Sequence, residues 1–394
     1  MLAMLASLFL SRVALSVTML SFFIFSFFHS DIKGHIRNFF SSSLLWGMSL
    51  LFFLPVLSGL WSNDVQAWAD KIIIKLPLFF MPLAFAAPFG FSKKEWLKLA
   101  FVFITLVTAG TIWSMFHYIT NMPAVDESYL RAKSILTPLG NDHVRYSWML
   151  NVAILLAAWL WITEKTATKF VRWFLVIITF WLILFLHILA ARTGLFSFYL
   201  MIIITLGWMI VQKSKPLWVI TLFMLAVALP IAAYFILPTF HNRVRYFMYD
   251  LNYFKEAHYL PGANDAVRVI SLKAGWNVMN EHPVTGVGYG DVLSKTQKWY
   301  SIHYPQMAEA DKIFPSSEWL MYGAACGWPG LLLFGFIMIV PFLLRVKNKL
   351  PWYLLNSTAG FSFLFDIGLE VQFGIFIYSF IILSCWKWLK PEKV

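Results

Sequence analysis

The chain has 394 residues, 60% of them hydrophobic and 19% aromatic, and its mean hydropathy is +0.71. A soluble globular domain is far less apolar, so lipid is the solvent for most of this chain. Only 13% of residues are charged, yet the formal net charge is +12, and in such a chain a basic excess is read first as a topology signal rather than as a surface for nucleic acid.

A helix needs about 20 apolar residues to cross a bilayer core. Eleven windows meet that need, at 4–28, 39–60, 72–91, 97–119, 146–163, 171–190, 194–211, 217–238, 319–344, 352–369 and 372–388. The spacing therefore predicts an all-α polytopic membrane protein. Arg12 interrupts the first window, which then reads either as one retained span or as two short or re-entrant pieces, giving twelve. Lys33 and Arg37, Lys93 and Lys94, Lys165 and Lys169, Lys213 and Lys215, Arg345 and Lys347, and Lys387 and Lys390 fall in alternate breaks. The positive-inside preference makes those breaks cytoplasmic and the others external. The tight break at 190–194 and the long segment 239–318 belong to the external set, called the outer face below. The chain divides accordingly into an N-terminal transmembrane bundle (1–238), a large outer loop (239–318) and C-terminal transmembrane helices (319–394). Cys326 and Cys385 lie in apolar windows without metal or redox spacing.

A connection of some 80 residues is either functional or disordered, and the content of 239–318 favours order. Asn264 is a good N-cap, and from Asp265 to Asn280 the apolar residues Val267, Ile270, Ala274 and Val278 recur at helical spacing, with Trp276 and Met279 beside them. That helix should stop at His282-Pro283. The run Gly286-Val287-Gly288-Tyr289-Gly290 follows, and its glycines permit positive φ and close backbone approach to a ligand.

Arg192 sits in Leu189-Ala190-Ala191-Arg192-Thr193-Gly194 between two apolar spans, where an Arg near a helix centre costs about 2.5–3.5 kcal/mol. It either snorkels to headgroups or binds an anion at the membrane surface. Arg145, at the outer end of the fifth span, and Arg268, on the loop helix, also break the positive-inside preference. Arg268 shares a helix face with Ser271, Leu272 and Gly275. Guanidinium forks give bidentate, charge-assisted bonds to phosphate and stay protonated, so a pyrophosphate-linked lipid would match them. His282, His303 and His143 are candidate bases, each with a structural role as the competing reading. No Walker loop, GxSxG or HExxH occurs in the outer segments, so nucleotide and zinc chemistry have no support and no cofactor or metal is expected.

Four pieces together resemble the O-antigen ligase family and its relatives, the O-antigen polymerases. Ala191-Arg192-Thr193-Gly194 is similar to the family's (S/A)RTG signature, and the stretch from Arg268 to Trp276 to its loop-helix arginine. The run from Glu281 to Gly290 resembles its HPxxGxGxG element. Ser316-Ser317-Glu318-Trp319-Leu320, followed by Gly327-Trp328-Pro329-Gly330-Leu331-Leu332, resembles its HNxxL segment and the GxxGLL start of the next span. Ser316 stands where the family has a histidine that is thought to act as base or to orient the acceptor, and Ser317 where it has asparagine. Three accounts follow: Glu318 or a histidine such as His303 takes over, the good pyrophosphate leaving group makes a strong base unnecessary, or activity is lost.

The resemblance implies a multi-pass bacterial inner-membrane enzyme whose active face is periplasmic. Its reaction would be metal-independent, inverting glycosyl transfer from an undecaprenyl-diphosphate-linked glycan to a lipid A-core sugar (ligase) or to another lipid-linked repeat (polymerase). Arg192 and Arg268 would stabilise the leaving diphosphate, with Arg145, His143, His282, Gly288 and Ser316 as substrate-binding candidates, in contact with membrane lipid and without nucleic acid. A transporter or flippase for lipid-linked sugars is the rival, for which Lys75, His187 and Asp366 would have to share a midplane cavity; a membrane scaffold is the third reading.

Overall fold

Backbone amides in hydrocarbon must find their partners within the chain, and this chain finds them in helices. The computed structural model describes residues 1–131, 133–165, 168–255, 259 and 264–390, with no strand among them. The path runs through α1 (Leu2–Leu10), α2 (Arg12–Phe25), α3 (Ile32–Ser41), α4 (Ser43–Leu57), α5 (Val65–Lys75), α6 (Pro77–Phe85) and α7 (Lys93–Thr120). Two short outer pieces follow, α8 (Met122–Ser128) and α9 (Pro138–Asn141), and then α10 (His143–Thr163), α11 (Lys169–Leu189), α12 (Arg192–Val211) and α13 (Pro216–Ile236). The outer loop contains α14 (Pro238–Lys255), α15 (Asn264–Glu281) and α16 (Val292–His303), and the chain returns through α17 (Glu318–Leu343), α18 (Lys349–Phe365) and α19 (Gln372–Leu389).

Every apolar window is largely helical, and among the described residues eight helices (α4 with its following turn, α7, α10, α11, α12, α13, α17 and α19) are long and apolar enough to cross a membrane. The first window is two pieces. Ser11 is extended (φ −165°, ψ 138°) and separates α1 from α2. Arg12 sits at that break, 5.3 Å from the ring centroid of Phe373. The third window is also divided, between α5 and α6, where Pro77 supplies the first turn of the second helix. In α13 Ala233 alone is buried; a helix apolar on every side and unpacked on most of them faces lipid.

The loop packs back onto the bundle. In α15, Val267, Ile270, Ala274, Val278 and Met279 are buried, while Trp276 stays 47% exposed. The helix ends at Glu281, where the coming Pro283 disfavours further helix; the side chains of Asn264 and Asp265 lie outside the described residues. Trp299, Tyr300 and Met307 join Val267, Ile270 and Ala274 in a small core of the loop itself.

The decisive joint between loop and bundle is a break in α17. Gly327 has φ 69° and ψ −164°, and Pro329 follows it. Pro329 has no N–H for the carbonyl of Ala325 four residues back, and the N–H of Gly288 takes that carbonyl instead (2.9 Å). The N–H of Trp328 turns away to the carbonyl of Pro283 (2.8 Å), and the N–H of Val287 donates to the carbonyl of Ala324 that it leaves (2.9 Å). The glycine run thus approaches its own protein. A Cβ on Gly286 would lie 2.3 Å from the carbonyl carbon of Ala325, and one on Gly288 2.2 Å from Ser62 Oγ.

Candidate functional site

Arg192 is positioned by a turn whose carbonyls are held by neighbouring side chains. Ala190 ends α11 in the left-handed region (φ 47°), Ala191 is extended, and α12 begins at Arg192. Tyr129 donates its hydroxyl to the carbonyl of Leu189 (2.9 Å), and Asn151 donates Nδ2–H to that of Gly194 (2.8 Å). A Cβ on Gly194 would meet Ser147 at 2.4 Å, so glycine is what lets α12 close on α10. The guanidinium is therefore held in the first turn of α12, where unsatisfied amides and the helix dipole already favour an anion.

Beside it lies a cavity of about 390 Å³ between α12, α14, α15, the segment before α17, and α18. Its polar wall is Arg192, Thr193, Asp250, Arg268 and Ser316, and its apolar wall includes Phe196, Phe247, Phe361 and Phe365. Phe196 and Phe365 are 53% and 46% exposed on the bundle surface, so the apolar wall continues onto the side facing lipid. Arg192 lies 5.8 Å from the ring centroid of Phe247. Ser271, one turn beyond Arg268, donates its hydroxyl to the carbonyl of Arg268 (2.6 Å) and accepts the N–H of Ser316 (3.1 Å), and the two serine hydroxyls lie 3.0 Å apart. Gly275 faces Pro315 and Leu320, where a Cβ would stand 2.7 Å from Pro315. The small face of α15 thus serves to seat the 315–320 segment beside Arg268.

The charges at the cavity are uneven. Arg192 experiences repulsion from Arg243 and Arg268 and attraction from Asp250. Arg243 is buried, stacked 4.7 Å over the Tyr129 ring, and donates to the carbonyl of Lys133 (2.6 Å), while its Nε has no partner among the described residues. Burial, reinforced by Arg268, lowers the Arg243 guanidinium from its usual value, against Tyr129 and Tyr246. Asp250 is buried, and burial pushes its carboxyl up against the pull of Arg192.

Arg243 and Asp250 were not singled out in the sequence. Their signal was Arg243, Phe247 and Asp250 at i, i+4 and i+7 along α14, flanking an apolar stripe that runs through Phe240, Val244, Phe247 and Leu251.

The other expected residues sit elsewhere. Arg145 pairs with Asp142 and with Asp366 (3.2 Å) and donates to the carbonyl of Ile367 (3.0 Å). His143, beside it, senses Arg243 and Arg268 electrostatically but does not line the cavity. Glu318 is wholly buried: its carboxylate accepts the N–H of Leu369 (3.0 Å) and lies 3.7 Å from Lys75, which is 2.6 Å from Glu370. His303 stacks on Trp299 (4.3 Å) at the exposed end of α16, and His282 is exposed with its carbonyl accepting the N–H of Gly286 (2.9 Å). Gly288 faces Ser62 rather than the cavity. Among the described residues no cluster of His, Cys, Asp or Glu is arranged to hold a metal.

The segment that supplies Arg192, Arg243, Asp250, Arg268 and Ser316 is also the one with a family match. Residues 177–335 match the O-antigen ligase family model. The resemblance read from the signature residues is borne out over that segment, and glycan transfer of the ligase or polymerase type, with a lipid-linked glycan and a glycan acceptor, is the activity class of that family. Together with its long apolar helices, the match describes a multi-pass bacterial membrane protein. Comparison with curated proteins gives no match.

Proposed function

We propose that this O-antigen ligase family chain is an inner-membrane glycosyltransferase acting at the periplasmic face. It moves a glycan from undecaprenyl diphosphate to a lipid A-core or similar acceptor sugar without a metal. The observation that carries the proposal is the pairing of Arg192 and Arg268 on the wall of a cavity whose other wall is phenylalanine open to lipid. Two guanidiniums suit a diphosphate, and the aromatic wall suits the first isoprene units of its tail. Charge that develops on the departing diphosphate is met by donors already in place, the kind of preorganised term that commonly contributes most to catalysis. The residues that a transport pathway would need are engaged in three separate places: Lys75 with Glu370, His187 with Tyr199, and Asp366 with Arg145.

The test is deletion of the chromosomal copy, complementation with wild type, Arg192→Ala or Arg268→Ala, and measurement of surface glycolipid and of glycan left on the carrier. Both variants are expected to insert normally and to reduce transfer by roughly 100-fold, the size of a lost charge-stabilising donor. Long chains stranded on the carrier identify a ligase, and single repeats a polymerase. Wild-type glycan in both variants would refute the anion site.

A further inference from the structure

Transfer to a hydroxyl releases a proton, and the cavity wall offers few groups to take it. Its two guanidiniums are hydrogen-bond donors without an acceptor atom. Thr193 and Ser316 are hydroxyls and weak bases; Ser316 is hydrogen-bonded through its N–H to Ser271, with the two hydroxyls 3.0 Å apart, which suits it to orient an incoming hydroxyl. The family histidine is absent at this position, Glu318 is committed to Leu369 and the Lys75 cluster, and His143, His282 and His303 stand off the wall. One carboxylate remains on the wall, that of Asp250.

We propose that Asp250 is the general base of this transfer. The acceptor oxygen forms its bond to the anomeric carbon while the bond from that carbon to the diphosphate oxygen breaks. The electron pair leaves with the diphosphate, held by Arg192 and Arg268, and the acceptor proton passes to the Asp250 carboxylate. The position supports this assignment, because α14 presents Asp250 to the same cavity as both arginines, where it and Arg192, which gathers the leaving charge, attract each other. Burial raises its carboxyl, opposed by Arg192 and the N–H of Ala266, and a carboxylate closer to neutrality is the better proton acceptor.

This assignment rests on the donor reading above, so its test separates the two. Wild type, Asp250→Asn, Asp250→Glu and Arg192→Ala are reconstituted in nanodiscs for binding of undecaprenyl diphosphate, and each is expressed in deletion cells to measure glycan transferred. Asp250→Asn is expected to bind the probe at least as tightly as wild type, since a negative charge beside the diphosphate is gone. Its transfer should fall roughly 100-fold or more, with Asp250→Glu recovering part. Wild-type transfer by Asp250→Asn would overturn the assignment. So would a loss of probe binding as large as that of Arg192→Ala, since the residue would then hold the site together rather than take a proton. If wild type does not bind undecaprenyl diphosphate, the donor reading falls and the base with it.

Discussion

Lys75 carries its charge at a position without exposed surface, 2.6 Å from Glu370, 3.7 Å from Glu318, and over the rings of Tyr289 (4.9 Å) and Tyr322 (5.1 Å). Lys71 reaches the other oxygen of Glu370 at 3.0 Å. Removing one partner of a buried ion pair typically costs about 3–5 kcal/mol, because the other is left uncompensated. Lys75→Met should therefore lower the thermal midpoint sharply, and Lys75→Met with Glu370→Gln should recover much of the loss, as read by unfolding in detergent. An unchanged midpoint in the single variant would show that the cluster adds nothing to stability. Residues of this kind mark the limit of reading side chains from sequence. Arg192 and Arg268 were legible because a charge flanked by apolar spans, or on the wrong side of the membrane, demands a partner. Glu318 was read toward the cavity because it is two residues from Ser316, but a neighbour in sequence need not point the same way, and its carboxylate goes to the N–H of Leu369. Asp250 escaped notice because it lies in none of the signature runs, and a carboxylate in a segment read as outside the membrane demands no partner.

At the scale of elements, the windows and the α15 helix were legible from period and length alone, whereas the sequence left open whether the first span divides at Arg12, and the extended Ser11 divides it. The glycine run was half legible. Positive φ at Gly286 and Gly288 was expected, and φ is 66° and 83°. Its purpose was expected to be contact with a ligand, whereas the structure shows contact with α17 and Ser62; either partner imposes the same demand for glycine, so sequence alone does not distinguish them. Gly288→Ala should destabilise by at least about 1–3 kcal/mol from the left-handed conformation, with the clash against Ser62 added. Ser62→Gly in the same background should return only the part of the clash made by the Ser62 side chain, since the Ser62 Cα would still stand 2.9 Å from the new Cβ, measurable as a partial recovery of the thermal midpoint. If Gly288→Ala unfolds with wild type, the joint is softer than the 2.2 Å approach implies.

For the whole molecule, the alternation of basic breaks predicts a side for every segment, and that assignment can be tested without knowing the acceptor. Both native cysteines are in the bundle, Cys326 buried and Cys385 partly so. Lys295 on α16 and Lys215 before α13 are exposed and are predicted to lie on opposite faces. A membrane-impermeant thiol reagent added to intact spheroplasts should label Lys295→Cys and spare Lys215→Cys until the membrane is opened; the reverse pattern would invert the topology. The division into bundle, outer loop and returning helices is a convenient description of the chain, but the joints cut across it. Tyr289 donates its N–H to Ser58, 231 residues earlier, and Gly288 completes the broken ladder of α17, made afterwards. At about 5–20 residues per second, synthesis separates Ser58 from Tyr289 by roughly 10–50 s. During that interval the end of α4 waits for a partner not yet made, and α17 is later made with a gap that the preceding loop fills. Biogenesis should therefore be the stage most sensitive to changes in that loop: a variant that is stable once folded can still be degraded if its glycine segment docks too slowly.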